Sequence, residues 1–301
     1  MKMRFTIIAI SLFPIFVNAQ TFQIDKPALP IDSLKKVLPL LHDSARVDCL
    51  NELARANMEV LEYMHSDSAI LLARQAYADA YAINYIKGLG DACLRQGLYS
   101  QWYLWNSGEM EKYFREAIIW YEKISDHDGL GHAFYGMGAA LLHKSFPDEA
   151  KKTLEQSVFH FRKTGNRIML AELIDQFGYV YNDKGDFEKF FENIKQGLRE
   201  KKRINDNRGM IWSFYRLAHI YQSVGDFETA LDYFTIVSSK PAVSQYDGSP
   251  SGQWVTYFYT WKTMTLPSII SGAAYKCYLT MVRAWQDWEN CFCCEKNMIQ
   301  P

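Results

Sequence analysis

Apolar residues recur at helical spacing through the middle of the chain, and the pattern repeats every forty residues. Each copy has a small residue on an apolar helical face, at Gly138, Gly178 and Ala218, and a large apolar residue three positions later. A fixed period of this length is typical of a stack of helical hairpins, each made of two helices joined by a tight turn. The small residues let the two helices of a hairpin approach closely.

The turn inside the hairpin has its own signature. Gly185 and Asp186 recur forty residues later as Gly225 and Asp226. Glycine suits the left-handed backbone at the end of a helix, and aspartate suits the N-cap of the helix that follows. The sequence therefore predicts a helix that ends at each glycine and another that begins just after each aspartate.

These residues resemble the tetratricopeptide repeat, whose frame reads W-x-x-L-G-x-x-Y and then A-x-x-x-F. The resemblance implies an all-α, tetratricopeptide-like solenoid of helical hairpins, with about five repeats of roughly forty residues over 41–240, wound as a right-handed superhelix. The usual period is thirty-four residues, so we expect longer helix ends and loops here. The last copy matches the frame at Phe214, Leu217, Ala218, Tyr221, Ala230 and Phe234.

The start of the array narrows the resemblance. Residues 41–54 are similar to the first repeat of exported tetratricopeptide arrays in bacterial sensor proteins, such as those that end in a histidine kinase. This implies a module that binds a protein or peptide in envelope signalling. No membrane helix or output motif is recognisable after the array. We therefore expect either a sensor region that lacks its output module or a free-standing exported scaffold that organises an envelope complex.

The first nineteen residues have the pattern of a secretory signal peptide. Lys2 and Arg4 give a positive start, residues 5–17 are mostly apolar, and Ala19 ends a small-residue cleavage site. We expect cleavage after Ala19 and export to the periplasm or the extracellular space. Residues 20–40 then lead into the array. No later apolar stretch predicts a membrane span in the mature chain.

The chain changes character after Lys240. Residues 20–240 hold 57 charged residues in 221, whereas residues 241–301 hold only eight in 61. The tail also carries four of the eight tryptophans and four of the six cysteines, and it has no repeat register. It is either a separate aromatic- and cysteine-rich segment or the product of a truncated or disrupted reading frame.

The charge and the motifs of the sequence argue against several classes of function. The 33 basic and 34 acidic residues leave no concentrated positive charge for nucleic acid. No catalytic or nucleotide-binding motif is present, and the glycines of 129–138 fall inside a repeat helix. A lone C-x-x-C pair at Cys291 and Cys294 is weak evidence for metal. We therefore expect a non-enzymatic protein without a cofactor or a metal.

Three further features have structural interpretations. Cys49 and Cys93 stand on apolar helical faces, where a cysteine is usually a small buried hydrophobe. The basic run at 199–203 lies at the end of the second helix of a hairpin. We expect its side chains to be exposed to solvent, with their positive charge stabilising the C-terminus of that helix.

The inner surface of the solenoid is the candidate binding site. The first helices of stacked hairpins line a concave face, and their side chains off the packing face should point into it. Tyrosine, tryptophan, histidine and asparagine suit peptide binding because they combine rigid area with polar tips. The candidate groove residues are His132, Tyr135, His143, Asp175, Tyr179, Asn182, Trp212, Tyr215, His219 and Gln222.

Overall fold

The computed structural model describes residues 30–59, 66–104 and 106–238, and all regular structure within these ranges is helical. A short helix α1 (Ile31–Val37) precedes five consecutive helical hairpins. The hairpins are α2 (Asp43–Glu59) with α3 (Ser66–Ala82), α4 (Ile86–Tyr99) with α5 (Ser107–Ile124), α6 (His127–His143) with α7 (Pro147–Thr164), α8 (Arg167–Asp183) with α9 (Phe187–Arg203), and α10 (Asn207–Ser223) with α11 (Phe227–Ser238). The all-α hairpin-repeat architecture is therefore confirmed. The signal-peptide and tail predictions concern residues outside the described ranges.

The turns within the hairpins have the predicted geometry. Gly185 and Gly225 have φ angles of 76° and 83°, which are left-handed values that disfavour any residue with a Cβ atom. The Asp186 carboxylate accepts the backbone N–H of Lys189 at 3.1 Å, and Asp226 caps α11 in the same way. Both turn predictions are confirmed, and they fix where the second helix of the fourth and of the fifth hairpin begins.

The connections between hairpins repeat a second cap. Asp126, Asn166 and Asp206 each accept a backbone N–H from the first turn of the following helix, at 2.9–3.1 Å. These caps satisfy amide groups that a helix N-terminus otherwise leaves unpaired. As a result, α6, α8 and α10 start forty residues apart and present equivalent positions to their neighbours.

The small residues of the first helices lie where a side chain would collide with the paired helix. A Cβ atom on Gly138 would be 2.6 Å from the Leu154 side chain of α7. A Cβ atom on Gly178 would be 3.2 Å from Phe190 of α9, and Ala218 is fully buried. The predicted close approach within hairpins is therefore confirmed.

Other glycines form slots for aromatic rings. Phe114 of α5 lies between Gly97 of α4 and Gly136 of α6, where Cβ atoms would be 2.7 and 2.4 Å from its ring. Tyr121 packs in the same manner against Gly129, because a Cβ atom on that glycine would be 2.4 Å from the tyrosine ring. Gly129 and Gly136 of α6 thus admit rings of the preceding hairpin, which agrees with their prediction as residues of a repeat helix.

The core is continuous along the described part of the array, and its main cluster runs from Met58 on α2 to Leu217 on α10. Cys49 and Cys93 are buried free thiols, as predicted. Among the described helices, none combines the length and the apolar character needed to cross a membrane.

Candidate binding surface

Burial divides the ten predicted groove residues into two groups. Tyr135, Asp175 and Tyr179 are at most 3% exposed, so the prediction that they line an open groove is wrong. The other seven residues keep partial access to solvent. Tyr135 and Asp175 belong to contacts between hairpins, whereas Tyr179 packs against the second helix of its own hairpin.

Asp175 lies in an ion cluster that joins the last two hairpins. Glu172 and Asp175 of α8 face Lys201 of α9 and Arg216 of α10, and all four are at most 1% exposed. The Lys201 ammonium donates to Glu172 at 2.7 Å and to Asp175 at 2.8 Å, while Arg216 pairs with both carboxylates. Ser213 donates to Asp175 at 3.2 Å. Two anions and two cations therefore balance within one buried site.

The charges of this cluster act on one another. Burial by itself would raise the pKa of the Glu172 carboxyl, but Arg216 and Lys201 more than offset that effect and hold the pKa below its usual range. Removing either cation would leave a carboxylate both buried and unbalanced. We therefore assign the cluster a structural role at the junction of α8, α9 and α10.

Lys201 corrects the interpretation of the basic run at 199–203. Lys202 and Arg203 are exposed as expected, but Lys201 is fully buried. Forty residues earlier the same repeat position holds Phe161, which is also fully buried. The sequence did contain a signal for this cluster. Lysine occupies a repeat position that holds an aromatic ring in the preceding hairpin, and α8 carries acidic residues that could pair with it.

The polar network extends into the third hairpin. Gln176 of α8 donates to the Tyr135 hydroxyl at 2.8 Å, and that hydroxyl is 3.4 Å from Glu172. Tyr179 packs its ring against Phe190 of α9 at 5.2 Å between centroids. These contacts explain why side chains of the first helices that were expected to meet a ligand instead meet the neighbouring helices.

Four accessible candidates lie together on one face of α10. Trp212, Tyr215, His219 and Gln222, which we call the α10 strip, are spaced three or four residues apart. The Tyr215 ring contacts Trp212 and His219 edge-on, at 5.7 and 4.4 Å between centroids. His219 Nδ1 is 3.1 Å from Gln222 Oε1, and its ring meets Phe234 of α11 at 5.3 Å. Mutual contact therefore holds the α10 strip in place.

The remaining candidates lie apart from the α10 strip. His132 and His143 are half-buried on α6, two hairpins away, and His132 packs edge-on against Phe161 at 4.9 Å. Asn182 is half-buried near the end of α8. Nowhere in the described ranges do three or more histidine, cysteine, aspartate or glutamate side chains group as metal ligands.

We expect two partly buried histidines, His132 and His219, to make folding stability sensitive to acid. Burial lowers the pKa of His132 to about 3 and that of His219 to about 4. Below the unfolded pKa of about 6.5 only the unfolded chain takes up these protons, so stability falls as the pH drops from 7 towards 4. At pH 5 the loss should be about 1–2 kcal/mol for each histidine. Urea denaturation at pH 7 and pH 5 measures this loss.

Histidine variants assign the acid sensitivity. His132→Gln and His219→Gln should each remove their share of the pH dependence, whereas His42→Gln, at an exposed position, should not. An unchanged difference between pH 7 and pH 5 in the His132→Gln and His219→Gln variants would contradict the assignment.

Sequence and structure comparisons agree with this architecture. The tetratricopeptide repeat family model matches residues 213–235, which span most of α10 and most of α11. Among curated proteins, none matches the sequence. The described part of the chain therefore has a helical-repeat fold of the tetratricopeptide type.

Two solved structures are similar in fold. One is a Rap protein complexed with competence and sporulation factor, with a TM-score of 0.59 and 12% identity over 78% of this chain and 63% of that one. The other is BtubC (BKLC) from P. vanneervenii, with a TM-score of 0.52 and 14% identity over 71% of this chain and 91% of that one. This chain therefore spans less than two thirds of the length of the Rap protein.

Proposed function

We propose that the array is a non-enzymatic module that binds a protein or peptide partner through the α10 strip. The observation that carries this proposal is the set of accessible, mutually packed aromatic side chains on α10. Rings that are already ordered lose little conformational freedom on binding, and tryptophan and tyrosine are prominent among the residues that dominate binding energy. A repeat array of this kind offers an extended surface for such contacts.

The polar atoms of the α10 strip support recognition of a polypeptide. Neither the Trp212 indole nor the Tyr215 hydroxyl forms a hydrogen bond with another residue in the described ranges. Both remain available to donate to backbone carbonyl groups of an extended segment. The rings can contact apolar side chains of a peptide, and the two donors can bind its backbone. This combination suits a peptide better than a small charged ligand.

We place this module in bacterial envelope signalling, as the sensor region of an exported protein. Two sequence features support this context: the signal-peptide pattern of residues 1–19 and the similarity of residues 41–54 to exported sensor arrays. The Rap protein, which shares the fold, was solved in complex with competence and sporulation factor, and this supports the binding of a partner rather than the location.

A displayed library of random peptides, selected against the full chain, tests the binding proposal. The selected peptides should lose at least about tenfold in affinity for Trp212→Ala and for Tyr215→Ala, as expected for central aromatic contacts. Circular dichroism of each variant checks that the helices are intact.

The matched control is Phe187→Ala, which removes a ring that is 54% exposed at a turn away from the α10 strip. It should bind the selected peptides like the unmodified protein. Equal losses in all three variants, or no loss in the two α10 variants, would contradict the proposed site.

A further inference from the structure

An apolar groove opens between α7 and α8, away from the α10 strip. It has a volume of about 780 Å³. Phe159, which is 49% exposed, stands at its edge, and a single array gives this ring only partial cover. The apolar side chains that line the groove are Val158, Phe159, Leu170, Leu173, Ile174 and Phe177.

Opposite charges flank Phe159 along the same helix. Glu155 lies one turn before it, and Arg162 and Lys163 lie one turn after it. All three charged residues are exposed and line the groove. Neither Glu155 nor Arg162 forms an ion pair with another residue in the described part of the chain.

We propose that this groove is the contact surface for a second copy of the same chain. If two α7 helices cross antiparallel about a two-fold axis near Phe159, Glu155 of each copy faces Arg162 of the other. The two charges are seven residues apart, about 10 Å along the helix, and lie at nearly equal distances from the central ring. A two-fold contact requires this self-complementarity, because the same patch must serve both sides.

The apolar residues complete the contact. Phe159 of each copy enters the groove of the other and packs against Ile174 and Phe177, which removes the half-exposed ring from water. Lys163 lies 4.5 Å from the Phe159 ring and adds a second positive charge opposite Glu155 of the other copy. The proposal goes beyond peptide binding, because α7 carries none of the α10 strip.

Sedimentation equilibrium of the full chain across a concentration series, up to roughly 100 µM, tests the dimer. We expect a reversible monomer–dimer equilibrium. Glu155→Arg or Arg162→Glu alone puts like charges together at both ends of the contact and should weaken dimerisation at least about tenfold. The double variant E155R/R162E restores opposite charges in reversed order and should recover the dimer. Phe159→Ser should weaken it without any change of charge.

Lys202→Glu is the matched control, because Lys202 is exposed at the equivalent place on α9, forty residues beyond Arg162. It should dimerise like the unmodified chain. A chain that stays monomeric throughout the series, a dimer that tolerates either single reversal, or a double variant no better than the single ones would each overturn the proposal. So would a dimer that Lys202→Glu weakens as much as Arg162→Glu does.

Discussion

Replacing Lys201 with methionine should lower the free energy of unfolding by about 3–5 kcal/mol. Methionine is an unbranched side chain one atom shorter than lysine, and it removes the charge that lies between Glu172 and Asp175. Two buried carboxylates would then share Arg216 alone, because Lys201 is their other cationic partner within the described residues. Urea denaturation followed by circular dichroism measures the loss.

Two further variants separate charge from packing. Lys202→Met makes the same substitution at the exposed neighbouring position and should change stability by less than about 0.5 kcal/mol. Adding Glu172→Gln to Lys201→Met leaves one carboxylate facing one guanidinium, so part of the loss should be recovered. If Lys201→Met costs no more than Lys202→Met, the cluster does not hold the last two hairpins together.

Replacing Phe114 with alanine should cost about 3–5 kcal/mol. The ring is fully buried in the glycine slot between α4 and α6. Gly97 and Gly136 have no side chains that could move into the space, so a cavity remains. Thermal and urea denaturation should both show the loss. Phe187→Ala, at a half-exposed ring, should cost far less.

Gly136→Ala tests the same slot, because its effect on stability should change sign when the Phe114 ring is removed. In the unmodified chain its Cβ atom would be 2.4 Å from the Phe114 ring, so the substitution should be destabilising. In the Phe114→Ala background the ring is absent, and alanine should stabilise α6 because it is the better helix former, by up to about 1 kcal/mol. Destabilisation of the same size in both backgrounds would show that the slot has been placed wrongly.

The fold could be predicted from the sequence because its determinants are local. Gly185 and Gly225 identify left-handed turns, and Asp186 and Asp226 identify helix starts, from the conformational limits of single residues. The period of forty residues then indicates that equivalent helices stack in order. None of these inferences requires knowledge of how one hairpin is tilted against the next.

The buried part of the candidate site does require that knowledge. A side chain on a first helix meets either solvent or the next hairpin, according to how closely the hairpins approach. Asp175 is buried because Gly197 of α9 leaves room for it, and a Cβ atom there would lie 1.8 Å from the Asp175 carboxylate. The α10 strip could be identified from helical spacing alone, since its four residues follow one face of a single helix.

Photo-cross-linking tests most directly whether the α10 strip binds a polypeptide. A library-selected peptide that carries a photoreactive benzophenone group would be irradiated with the full chain, and mass spectrometry would locate the products. We expect cross-links to residues 207–223, centred on Trp212 and Tyr215, that decline when Trp212 is replaced by alanine. Cross-links concentrated on α7, or unaffected by that substitution, would contradict this expectation.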